Sequence, residues 1–172
     1  MPRNFKPKGP VLYLGLAVVY FVAGKLALQL ALLNASASAV WPCTGIALAA
    51  LLLFGYRLGP AIFVGAFLVN FTTAGTVLTS LGIASGNTLE ALAGCYLVTR
   101  FAAGRNAFQR SQNIFKFVLL AGMISTAISA SIGSATLVLG HLAEATHYLS
   151  IWLTWWLGDS VGALVLTPFI LV

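Results

Sequence analysis

Three ionisable side chains, Lys25, Glu90 and Asp159, stand inside otherwise apolar runs of a 172-residue chain. A charge near the centre of a bilayer costs at least ~2.5–3.5 kcal/mol on insertion scales, so such residues usually face a bundle interior and carry partners. At ~1.5 Å of rise per residue, Lys25 and Asp159 lie ~12 and ~15 Å from the outer ends of their apolar runs, and Glu90 ~20 Å. These depths predict an ion pair between Lys25 and Asp159, with Glu90 near enough to compete. Such a cluster would either act as a switch or fix helix packing as a static pair.

Aromatic and amide side chains surround these charges in the sequence. Trp41-Pro42 stands at the outer start of one apolar run, and Trp152, Trp155 and Trp156 in the outer half of another. Outer tryptophans usually form an interfacial belt. Trp155 and Trp156 lie deeper than a belt requires and are expected to wall an aromatic pocket beside Asp159. Asn70 is a further polar candidate near the outer end of its run. His141 and His147 flank Glu144 in an expected solvated loop; the alternative is that they report periplasmic pH.

The elements that position these residues follow from composition. The chain is 60% hydrophobic and 7% charged, whereas a soluble domain carries roughly 25% charged residues. A membrane-spanning helix needs about 20 mostly apolar residues. Six such spans are predicted: 11–33, 38–54, 60–76, 77–101, 114–139 and 149–171. The fold class is therefore all-α, a polytopic integral membrane bundle of about six transmembrane helices. Arg3, Lys6, Lys8, Arg57, Arg100, Arg105, Arg110 and Lys116 fall on one side of this pattern. The positive-inside rule makes that side cytoplasmic and places both termini there.

A cleaved signal peptide is disfavoured, because the first apolar run exceeds the usual 7–15-residue core and Lys25 interrupts it. The formal net charge of +6 does not point to nucleic acid, since the basic residues form no face. Residues 1–172 read as a single integral membrane domain. The stop at Val172, where the sixth span reaches the cytoplasm, suggests a piece excised from a longer signalling protein.

Two shorter patterns bear on packing. Gly86-Asn87-Thr88-Leu89-Glu90-Ala91-Leu92 resembles Gly158-Asp159-Ser160-Val161-Gly162-Ala163-Leu164, and both lie in mid-span. Glycine followed by Asn or Asp permits close helix approach beside a polar group. Ala121, Ser125, Ser129 and Gly133 recur every four residues, which predicts a packing seam or, alternatively, a hydroxyl-lined cavity. Cys43 and Cys95 are expected to be free, buried packing residues, with no metal-ligand spacing. No hydrolase, metalloprotease, P-loop or dinucleotide signature occurs. Neither catalysis nor a cofactor or metal is expected.

In order along the chain, Val40-Trp41-Pro42-Cys43-Thr44-Gly45-Ile46-Ala47-Leu48-Ala49, Leu53-Phe54-Gly55-Tyr56-Arg57 and Gly65-Ala66-Phe67-Leu68-Val69-Asn70 resemble the first class of MASE-type membrane-associated sensor domains. So do Gly86-Asn87-Thr88-Leu89-Glu90-Ala91, Trp155-Trp156-Leu157-Gly158-Asp159-Ser160-Val161-Gly162 and Thr167-Pro168. The resemblance implies a multi-pass module of the bacterial inner membrane. It would precede a histidine kinase, diguanylate cyclase or phosphodiesterase, and so serve two-component or cyclic-di-GMP signalling. It also implies about eight spans, two more than the sequence pattern provides. It singles out Trp41, Pro42, Asn70, Asn87, Glu90, Trp156 and Asp159. With Lys25 and Trp155 these are the ligand- or signal-sensing candidates.

The leading expectation is a sensory input domain. Its partners would be the lipid bilayer, a cytoplasmic signalling domain, an undefined small-molecule or protein signal, and a second copy of the chain in a homodimer. The alternative is the substrate-binding membrane subunit of a vitamin-type transporter. A third reading is a structural anchor.

Overall fold

A computed structural model describes residues 9–31 and 34–172. Arg3, Lys6, Lys8 and Leu33 lie outside the described residues. Six helical rods, joined by turns and short 3-10 segments, make up the fold: α1 (Gly9–Leu28), α2 (Pro42–Phe54), α3 (Gly59–Phe71), α4 (Val77–Phe101), α5 (Ser111–Leu139) and α6 (Tyr148–Leu171). The described residues contain no strand.

Three stretches are long and apolar enough to cross a membrane: Gly9–Leu28, Ser111–Leu139 and Ala145–Leu171. Helix α4 has 25 residues but is more polar than the others. Helices α2 and α3 have 13 residues each, about 20 Å of rise against a hydrocarbon core of about 30 Å. The expected spans 38–54 and 60–76 are thus only partly helical.

Local chemistry explains the helix ends. Pro42 opens α2, where its missing N–H removes no helical bond. Gly55 ends α2 at φ +92°, a conformation that favours glycine. Thr76 and Thr79 form a reciprocal capping box at the start of α4. Helix α5 widens into a π-helix over Val118–Ser125. Hydroxyls of Ser125 and Thr126 bond the carbonyls of Ala121 and Gly122 within it. Trp156 Nε1 reaches in from α6 to donate to Met123 O at 2.9 Å.

Helix α1 packs on α3, α3 on α4, α4 on α5, and α5 on α6, while α2 lies among α1, α4 and α6. Along α1 the buried residues Leu16, Ala17, Tyr20, Gly24 and Ala27 follow the helical period. Its other face leaves Val11, Leu14, Val18, Val22 and Leu26 exposed, as suits contact with lipid.

The tightest packing joins α6 to the start of α2. A Cβ on Gly162 would overlap Trp41 O, and one on Gly158 would overlap Ser38 O. Bare backbone on backbone is the small-residue packing that membrane bundles use, since lipid is as apolar as a leucine interface. Irregular chain thereby reaches the flank of α6. Ser36, Ala37 and Ser38 are buried, and Trp41 N donates to Gly158 O at 3.1 Å. Several polar groups of this stretch are paired: Ser36 N donates to Asn34 Oδ1, Ala37 N to Asn34 O, and Val40 N to Ser38 Oγ. Non-helical backbone at membrane depth is tolerated only where protein covers it in this way.

Candidate functional site

The two acids meet, but not through lysine. Glu90 on α4 and Asp159 on α6 approach each other closely enough to interact, with Thr44 of α2 and Ser129 of α5 beside both. Exposure is 2% for Glu90 and 0% for Asp159. Thr44 Oγ1 donates to Asp159 Oδ1 at 2.9 Å. Thr44 lies in the first turn of α2, so Asp159 faces the positive end of that helix.

A second set of bonds runs beside the acids. Ser129 Oγ donates to Asn87 Oδ1 at 2.9 Å and accepts from Trp155 Nε1 at 3.2 Å. Four helices contribute to one buried polar cluster: α2 through Thr44, α4 through Asn87 and Glu90, α5 through Ser129, α6 through Trp155 and Asp159. Each position is fixed by a glycine or small residue nearby. Gly86 lies against Ile132 and Ser129, Gly133 against the Trp155 ring, and Gly158 against Ser38. The cluster is nonetheless short of partners. Glu90 Oε1, Asp159 Oδ2 and Asn87 Nδ2 are buried and make no hydrogen bond. Buried polar atoms are paired in the great majority of cases, so three such atoms in one cluster are unusual.

The predicted Lys25–Asp159 pair does not form. Lys25 Nζ donates to Thr72 O and Thr73 Oγ1, each at 3.0 Å. The depth expectation placed the end of the first span at Leu33, whereas α1 ends at Leu28 with Lys25 in its last turn. Lys25 can therefore extend to the end of α3, where Thr72 is the C-cap. A cation there meets unsatisfied carbonyls and the negative end of the helix dipole.

The remaining candidates divide. Trp155 joins the cluster through Ser129. Trp156 is half-buried, stacks on Trp152 with centroids 5.8 Å apart, and bonds the π segment of α5. Trp155 packs over Gly133, and Trp156 lies against the π segment. Trp41 is buried, and its backbone supports the α2–α6 contact, while its Nε1 has no hydrogen-bond partner. Pro42 opens α2. Asn70 is buried but local: Nδ2 donates to Ala66 O, and its backbone carbonyl accepts from Thr73 and Gly75. It closes the end of α3 rather than entering the acid cluster.

In the loop between α5 and α6 His147 Nε2 stands 3.9 Å from Glu144 Oε2, with both side chains exposed. They line an open cleft of about 760 Å³ with His141 and Asn34. Cys43 and Cys95 are free and buried. Among the described residues no group of three metal-ligating side chains comes together.

Sequence reasoning did not single out Thr44. Ser129 entered it only as part of a packing seam, although the hydroxyl-lined alternative described this serine. Their signal was a hydroxyl among small residues, Thr44 beside Gly45 and Ser129 four residues before Gly133, which many membrane helices share. The internal similarity had structural content. Asn87 and Asp159 occupy matching positions, each follows a glycine at a helix contact, and each accepts from a hydroxyl of a neighbouring helix.

The comparisons with known proteins bear on this same stretch of chain. No curated protein and no solved structure matches it. A family model, MASE1, matches residues 12–172 and so includes every member of the acid cluster. MASE1 is a membrane-associated sensory domain of signalling proteins, which accords with apolar helices around a buried polar centre. By this match over nearly its whole length, the chain belongs to the MASE1 family.

Proposed function

We propose that the chain is the sensory input domain of a bacterial signal-transduction protein. It sits in the inner membrane, crosses it six times with both termini in the cytoplasm, and passes its signal through α6. The receiver is a cytoplasmic histidine kinase or cyclic-di-GMP enzyme, covalently linked or associated, and the domain itself does no catalysis. A homodimer would suit such an output.

One observation carries the reading of α6 as the output helix. Asp159 and the glycines that hold α2 lie on the same helix, so a change at the acid cluster must shift or loosen the segment that leads to Leu171. Coupling of this kind requires two packings with different affinity for the signal. The orientation has its own support. Arg105 lines a 520 Å³ cleft with Leu53 at the end of α2 and Leu171 at the end of α6, so the arginine-bearing turn and these two helix ends lie together. The transport-subunit reading finds no support in the family match.

The test is a chimaera joining the chain through Val172 to a diguanylate cyclase, with cyclic-di-GMP measured in cells. Replacing Asp159 with Asn should change output at least threefold at equal membrane abundance. Output equal in the parent, the variant and a chimaera with an unrelated six-span anchor would overturn the sensory reading. Reporter fusions at Gly55, Arg105 and Ala143 test topology, with only the last expected outside the cytoplasm.

A further inference from the structure

We propose that the Glu90–Asp159 pair is a binding site for one small monovalent cation, a proton or Na⁺. The inference rests on the sensory reading for its meaning, since it names a class of signal, but binding is measured without any output domain.

Two observations carry it independently. The first is charge. Two carboxyl groups face each other in a fully buried site, and no Lys, Arg or His of the described residues pairs with either. Lys25, the one cation on the outer half of α1, is engaged at the end of α3. Like charges in a dry interior repel strongly unless a positive charge offsets them. The helix dipole of α2 and the Thr44 hydroxyl offset part of one carboxylate, that of Asp159. The hydroxyls of Thr44 and Ser129 also lie beside Glu90, but no cation of the described residues does.

The second is unfilled bonding capacity. Glu90 Oε1 and Asp159 Oδ2, both on side chains at least 98% buried by the exposures above, have no hydrogen-bond partner. A proton shared between the two carboxyl groups would fill one acceptor on each. A Na⁺ ion would instead take the two carboxylate oxygens together with the lone pairs of Thr44 Oγ1 and Ser129 Oγ. Hard alkali cations favour such all-oxygen sets, as the hard cations Ca²⁺ and Mg²⁺ do. Both occupants answer the same need, and carboxylate sites let them compete.

Every other element packed against the pair contributes little charge of its own. Tyr20 of α1 and Cys43 of α2 are the further titratable side chains facing it. Helix α3 carries no titratable residue, and α5 presents Ser125 and Ser129 on its buried face. Tyr20→Phe and Cys43→Ala should therefore leave cation dependence in place.

The experiment is thermal unfolding of the 172-residue chain in detergent, at constant ionic strength with choline as the replacement cation. One arm raises NaCl at pH 9; the other lowers pH from 9 to 6 without Na⁺. A cation that binds the folded state alone raises Tm, by about 5–10 °C at a hundredfold excess over Kd for a chain of this size. A rise with Na⁺ supports the site and identifies the alkali ion, and a rise with acid alone supports it and identifies the proton. The double variant Glu90→Gln with Asp159→Asn should lose either response. Constant Tm in both arms, or a response retained by the double variant, overturns the proposal. Infrared difference spectra of the unmodified chain provide a check that needs no variant. Carboxyl bands must shift on adding Na⁺ or acid, and unchanged bands overturn it equally.

Discussion

Lys25 and the Glu90–Asp159 pair are all charged groups in apolar helices, and the molecule treats them in opposite ways. Lys25 lies in the last turn of α1, and its long side chain finds a carbonyl and a hydroxyl at the end of α3. Its charge is placed where a helix end already needs a donor. The two acids lie in mid-helix, buried among four helices, and retain unpartnered oxygens. The first region is complete as built. The second is short of one positive charge. A charge can thus sit in an apolar helix for a structural reason or for a ligand, and the difference lies in whether its bonds are already filled.

The largest effect on this contrast is expected at the walls of the acid site. Gly162→Ala puts a methyl into Trp41 O, where backbone meets backbone and neither can move aside. It should cost about 3 kcal/mol or more, at the upper end of overpacking effects, read as loss of the folded fraction in size-exclusion chromatography. Normal folding of this variant would mean that α2 and α6 are not held as described.

Thr44→Val removes the hydroxyl that donates to Asp159 Oδ1 while keeping the shape. A buried acceptor left unpaired costs about 1–3 kcal/mol. Tm should fall by several degrees, and Thr44→Ser should restore most of it.

Lys25→Met tests the complete region. It keeps the apolar stem and removes two hydrogen bonds, so a loss of about 1–2 kcal/mol is expected in chemical unfolding. The Asp159 environment should be untouched. If the cation response of the acid pair vanished with Lys25, the two regions would be one network and the contrast would fail.

Gly15→Ala is the mild control. A Cβ at Gly15 meets nothing within 4 Å, and the residue is mid-helix in α1. Alanine should raise stability by about 0.5–1 kcal/mol. A loss would show that this face of α1 is covered by something other than lipid.

The apolar runs were legible in the sequence, and so were most helix boundaries. Val77–Phe101 matches the expected fourth span, and Tyr148–Leu171 the sixth within a residue at its start. The error fell at the other ends. Ala27–Leu33 is apolar apart from Gln29, yet α1 stops at Leu28, and one glutamine in an apolar run does not by itself mark a helix end. The same shortening moved Lys25 from apparent mid-membrane depth to a helix end. Spans 38–54 and 60–76 are likewise longer than the helices within them, Pro42–Phe54 and Gly59–Phe71. Hydropathy measures how long a segment can stay in lipid, not how much of it is helical. The stretch from Asn34 to Trp41 is covered by α6 rather than by its own helical bonds.

Composition was enough to establish an apolar, all-helical membrane chain with a few buried charges, because a bilayer leaves so few other uses for 60% hydrophobic residues. The linear order of motifs along the chain also carried the family. Which charges meet was settled in three dimensions. Helical period sets the face a residue occupies, but partners depend on how helices cross and where each one ends. Those crossings are fixed by Gly158 and Gly162 against backbone carbonyls, a contact no one-dimensional pattern reveals. The result is that Asp159 faces Thr44 and Glu90, and Lys25 faces a helix end.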